Sequence, residues 1–102
     1  MKELTSNQAK YLRGLAHALK PAVFIGQKGV TAALIQSAAD AFQSHELIKV
    51  KFIDFKVKAQ KNEIAAVFAN ETGSRMAGMI GHIAIFYKPH ADPAKRKIVL
   101  PN

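Results

Sequence analysis

A strand, a helix and a second strand follow one another between residues 21 and 53, and that order fixes the centre of the fold. Pro21-Ala22-Val23-Phe24-Ile25 is a short apolar run of the kind that forms a buried strand. It ends at the turn Gly26-Gln27-Lys28-Gly29, after which Thr31 is placed as the N-cap of a helix over residues 31–44. That helix buries Leu34, Ile35, Ala38 and Phe42, at i, i+1, i+4 and i+8. Residues 46–53 then alternate, with Ile48, Val50 and Phe52 on one face and Lys49 and Lys51 on the other. One face meets the core and the other meets solvent or a ligand. Two strands joined through a helix run parallel, and the crossover between them is right-handed.

The flanking segments complete the domain. Thr5-Ser6-Asn7-Gln8 has the form of a capping box and opens a helix through about Leu19, whose apolar side is Tyr11, Leu12, Leu15, Ala16 and Leu19. Lys10, Arg13, His17 and Lys20 recur at spacings of 3, 4 and 3, which gathers them into a basic ridge opposite that side. Residues 56–71 are assigned to a helix on Val57, Lys61, Ile64, Ala65 and Phe68, with Gly73 as its cap, although Phe52 to Val57 would also suit a longer strand. Lys56, Lys58 and Lys61 then charge its first turns, against the helix dipole. Arg75–Ile80 and Ile83–Tyr87 form an antiparallel hairpin around Gly81-His82, where a glycine first in the turn suits type II′. The tail, residues 89–102, carries Lys95-Arg96-Lys97 and then Ile98 to Leu100, an apolar segment expected to dock on the domain. Phe24, Phe42, Phe52, Phe68 and Phe86 all read as core, which leaves base stacking without an obvious platform. The expected architecture is a single α/β domain: an N-terminal helix, then β-α-β-α-β-β, with a four-stranded mixed sheet.

Composition narrows the chemistry. A chain of 102 residues that is 49% hydrophobic buries enough surface to fold without staples. It has no cysteine, which excludes disulfides, thiolate metal sites and thiol nucleophiles and fits a reducing cytoplasm. No apolar run approaches the roughly 18 residues of a membrane span, so a cytoplasmic protein with no membrane association is expected. The net charge of +8, from 15 Lys and Arg against 7 Asp and Glu, must lie on a folded surface, where it attracts polyanions, nucleic acid first. His17, His45, His82 and His90 lack metal-ligand spacing, and the carboxylates fall singly. The turn at residues 26–29 is neither a Walker loop nor G-x-G-x-x-G. No enzyme, cofactor, metal or small-molecule substrate is expected.

What the turn can do is hold a phosphate. It exposes backbone N–H groups, carries Lys28 in its middle and leads to a helix N-terminus, whose unpaired donors and positive dipole end favour an anion. The same glycines also serve a turn that merely needs positive φ.

Five blocks together resemble a known family: Leu15-Ala16-His17 with Leu19-Lys20-Pro21; Ile25-Gly26-Gln27-Lys28-Gly29-Val30-Thr31; His45-Glu46-Leu47-Ile48-Lys49-Val50-Lys51; Glu71-Thr72-Gly73; and Gly81 with Ile83 to Lys88. In order and spacing they are similar to the YhbY family of stand-alone bacterial CRM domains, named for chloroplast RNA splicing and ribosome maturation. The resemblance implies one CRM domain over residues 1–102, with a fold like the C-terminal domain of translation initiation factor 3. It also implies an RNA-binding protein acting on ribosomal RNA of large-subunit precursors, which with the residue reading above makes a non-enzymatic domain; a monomer is favoured, and the sequence leaves dimerisation open. In that reading Gly26 and Gly29 let the loop approach the RNA backbone, as in KH domains, while Gln27, Lys28 and the N–H groups of Thr31 and Ala32 hold phosphate. Lys10, Arg13, Lys20, Lys49, Lys51 and Lys88 extend the footprint. Two positions depart from the family: Lys88, where arginine is frequent, and His82, where lysine is expected. The rival reading is a protein-interaction module whose basic face docks an acidic protein.

Overall fold

The computed structural model describes residues 3–55 and 57–102. Its elements are α1 (Ser6–Ala16), β1 (Pro21–Ile25), α2 (Ala32–Ser44), β2 (Leu47–Phe52), α3 (Lys58–Thr72), β3 (Arg75–Ile80) and β4 (Ile83–Tyr87), followed by a 3₁₀ turn at Pro93–Lys95. The strands form one sheet in the order β1-β2-β4-β3, with β1 parallel to β2 and the other pairs antiparallel. This is the α/β architecture and mixed four-stranded sheet expected from the sequence.

Local chemistry sets the element ends. Thr5 Oγ1 accepts from the Gln8 N–H at 3.2 Å and the Thr5 N–H donates to Gln8 Oε1 at 3.0 Å, a complete capping box. Thr31 Oγ1 accepts from the Leu34 N–H at 3.1 Å and caps α2. Gly73 takes left-handed angles after α3, and the Ser74 N–H returns to the Ala69 carbonyl at 3.0 Å. In the hairpin turn Gly81 has φ 60° and no non-glycine residue has positive φ, the pattern of type II′.

Helices cover both faces of the sheet. On one face α2 and α3 bring Phe42, Ala65 and Phe68 onto Val23, Ile25, Val50 and Phe86, and the Phe68 and Phe86 rings meet at 4.6 Å, tilted by 56°. On the other, Leu12 and Ala16 of α1 pack on Leu47, Ala77, Ile85 and Tyr87, with Ile98 and Leu100 of the tail against the same cluster. The tail therefore docks, with Val99 turned outward. Glu46 holds it: this buried carboxylate accepts from the N–H groups of His90 (2.9 Å), Lys97 (2.7 Å) and Ile98 (3.0 Å).

Three features differ from the sequence reading. α1 stops at Ala16, three residues early: the His17 and Leu19 N–H groups bond three residues back, to Gly14 and Ala16, and Pro21 drives Lys20 out of the helical region. Its buried face is Leu12 and Ala16, while Tyr11 and Leu15 stay exposed. α3 begins at Lys58, so Val57 is its exposed N-cap, and Lys56 lies outside the described residues. Lys61 is no surface cation: it is buried, and its Nζ donates to the Gly81 carbonyl at 2.7 Å, tying α3 to the hairpin turn.

Candidate functional site

The G-x-x-G turn is closed by a hydrogen bond from the Gly29 N–H to the Gly26 carbonyl at 3.0 Å. Gly29 sits at φ 68°, where a side chain on Cα would crowd its own backbone, so a glycine is what lets the chain double back here. Gln27 and Lys28 are thereby pushed into solvent. α2 starts three residues on, with no acidic residue in its first turn. Thr31 spends its hydroxyl on the Leu34 N–H, and among the described residues the N–H groups of Thr31 and Ala32 meet no acceptor. Lys28 and this helix end together make the anion-attracting side of the turn. A carboxylate also borders the turn: an Asp54 oxygen lies 3.6 Å from where a Cβ on Gly26 would stand.

The structure does not gather the expected cations around this turn. Lys10 is exposed on α1, but Arg13 lies half-buried over the sheet and donates from Nη1 to the Ala77 carbonyl at 2.8 Å. Lys20 belongs to the connector before β1. The ridge at helical spacing is therefore reduced to Lys10 and the C-cap His17. Lys49 is half-buried and its Nζ donates to the Leu19 carbonyl at 2.9 Å, anchoring the end of that connector to β2. Lys51 is exposed. Lys20 precedes the first residue of β1, whereas the turn follows the last, so the two mark opposite ends of the sheet. Lys88 joins Lys20 at the far end, because Tyr87 pairs with Leu47 at the start of β2. There its Nζ stands 6.0 Å from the Phe42 ring centroid, a cation over an aromatic face.

Phe24, read as core from the sequence, is on the surface. Phe24 is 51% exposed because the strand is covered unequally: Val23 and Ile25 face α2 and α3, and α1 does not reach as far as Phe24. An apolar run looks buried throughout when read for hydrophobicity alone. Its period of two, set against Lys51 in the paired strand, is the signal that separates Phe24 from its neighbours.

No helix among the described residues is long and apolar enough to cross a membrane. Residues 4–88 match the family model described as CRS1 / YhbY (CRM) domain. The chain is 36% identical over 102 residues to a Haemophilus influenzae protein named "RNA-binding protein", covering 100% of this chain and 99% of that one. It is 32% identical over 98 residues to the Bacillus subtilis "Probable RNA-binding protein YqeI", covering 96% and 99%. The solution structure of the Staphylococcus aureus protein SAV1595 superposes with a TM-score of 0.83 at 32% identity, over 96% of this chain and 99% of the other. The chain belongs to the CRS1/YhbY (CRM) domain family.

Proposed function

We propose that this protein is a non-enzymatic RNA-binding domain that contacts structured ribosomal RNA through its G-x-x-G turn and basic surface and assists assembly of the large ribosomal subunit. RNA is the partner named for relatives that align with the chain from end to end, at 36% and 32% identity. The observation that carries the mode of contact is the turn itself, which holds Gln27 and Lys28 in solvent beside the unpaired N–H groups of α2. A phosphodiester placed there receives backbone donors, a helix dipole and one full charge, contacts that fix the RNA backbone without reading its bases. Lys51 stands at the same end of the sheet as the turn. Lys20 and Lys88 extend the footprint only for an RNA long enough to pass along the domain. Ribosomal RNA in large-subunit precursors is the substrate that the family resemblance implies, and its density of folded backbone suits this mode of contact.

The double substitution Lys28→Ala with Gly29→Asp tests the turn. Asp is among the residues that best tolerate the left-handed conformation, so the strain of a side chain at φ 68° is held to about 1 kcal/mol while the anion site gains a repelling carboxylate. The expected result is a loss of RNA affinity of roughly ten-fold or more, while the melting transition stays cooperative and falls by only several degrees, so that the protein is folded at the assay temperature. Sedimentation of a native lysate at low magnesium tests the ribosomal reading. Co-migration with large-subunit precursors, abolished by ribonuclease and by the double substitution, is the expected outcome. Recovery at the top of the gradient at every salt concentration would overturn it in favour of an acidic protein partner.

A further inference from the structure

Phe24 is the first member of a row that crosses the whole sheet. It pairs with Lys51 of β2, Lys51 pairs with Ile83 of β4, and Ile83 pairs with Ile80 of β3. The row lies on the face that carries α1, but α1 covers only the neighbouring positions, Leu47, Ala77, Ile85 and Tyr87. Phe24 is 51% and Ile80 59% exposed, Lys51 is exposed and Ile83 half-buried. Ile53, in the bend just after β2, is 59% exposed as well. An apolar shelf with a lysine set into it thus lies open at the end of the sheet that carries the G-x-x-G turn.

We propose that Phe24 is a stacking platform for an unpaired base of the RNA, with Lys51 meeting the phosphate beside it. The proposal rests on the RNA-binding reading above and adds to it a preference for single-stranded nucleotides. Charge selects this occupant. The row holds a cation and no carboxylate, and the adjoining row carries Lys49, paired with Ile85, and Gly78 under the stem of Arg13. A second protein surface seated here would bury Lys51 in an apolar contact, which interface cores avoid. A nucleotide instead presents a π-face to Phe24 and a negative charge to Lys51. Position selects it too. Phe24 is two residues upstream of Gly26 on an extended strand, about 7 Å, comparable with the reach of one extended nucleotide. Phe24 faces away from α2, but β1 is the edge strand of the sheet, so a backbone held at the turn reaches the ring by passing around that edge.

The chain contains no tryptophan, so Phe24→Trp introduces a single indole at the platform, excited selectively beyond the absorption of the two tyrosines. With a single-stranded oligoribonucleotide, the Trp variant should keep its affinity and lose fluorescence on binding, while Phe24→Leu, which keeps an apolar side chain at an exposed position, should bind roughly ten-fold more weakly or worse. With the same sequence annealed into a duplex, Phe24→Leu should match the parent. If Phe24→Leu binds single strands as the parent does while the Lys28→Ala, Gly29→Asp protein does not, RNA binding stands and the platform is refuted. A parent protein that binds no RNA refutes both readings. Self-association that Phe24→Leu abolishes, with RNA affinity unchanged, assigns the shelf to a second copy of the chain and overturns the proposal.

Discussion

Arg13 lies across Gly78, with one guanidinium nitrogen on the Ala77 carbonyl at 2.8 Å. A Cβ at residue 78 would stand 2.6 Å from Arg13 Cδ, so this arginine passes over the sheet only because the strand below it has no side chain there. Gly78→Ala should therefore displace the arginine and cost about 1–2 kcal/mol, an overpacking effect. In an Arg13→Ala background the same change should be neutral or slightly stabilising, because alanine suits a strand interior better than glycine. Urea unfolding of the four proteins measures the coupling, and simple additivity would show that the two residues do not depend on one another. The sequence placed Arg13 on an outward ridge because helical spacing reports direction around an axis, not how far a long side chain reaches back. Lys61 was misplaced for the same reason: its charge is visible in the sequence, and the carbonyl of Gly81 twenty residues away is not. The turn residues Gly26 to Gly29 were legible because their geometry is decided within four positions.

At the scale of elements, the tail is held by one side chain. Glu46 stands just before β2 and gathers three backbone N–H groups from two separate stretches of the tail. Burial pushes its carboxyl group upward, but the bonds from Lys97, His90 and Ile98 and the charge of Arg96 outweigh that and hold it below the ordinary carboxylate range. A carboxylate with a depressed folded value contributes stability that is present above its unfolded value and lost as pH falls through the folded one. Tail docking should thus be constant through neutral pH and weaken only in acid, below the usual carboxylate range. Glu46→Gln should reproduce the acid state at neutral pH, costing about 2–3 kcal/mol, with faster amide exchange at Lys97 and Ile98. Tyr87 offers a second readout. Burial and the nearby Glu46 charge raise its phenol above the ordinary value, so the variant should bring its absorbance titration to lower pH. Unchanged exchange at the tail amides would show that Ile98 and Leu100 dock without the carboxylate. The docking segment itself was legible as an apolar triplet after a basic one, but the clamp was not, because a lone acid before a strand carries no mark of the 51 residues that separate it from Lys97.

Over the whole molecule, the helix-strand order and the mixed sheet were legible because each element announces itself locally through caps, turns and period. The distribution of charge was not, because it depends on which strand ends meet. β1 and β2 run the same way and β4 runs back, which sets Lys28 and Lys51 toward one end of the sheet and Lys20 and Lys88 toward the other. A net charge of +8 read from the sequence cannot distinguish that arrangement from a single patch. Salt dependence can, since each phosphate contact removed lowers the slope of log affinity against log salt by about 0.7 on a single strand. On an oligoribonucleotide of a few residues, Lys28→Ala with Lys51→Ala should lower the slope by about 1.4, while Lys20→Ala with Lys88→Ala should leave it unchanged. On a structured RNA long enough to run the length of the domain, the second pair should begin to count, because only such a ligand reaches both ends of the sheet at once. Equal losses from the two pairs on the short oligonucleotide would mean that RNA does not settle at the turn, and that the far end is an equal partner in binding.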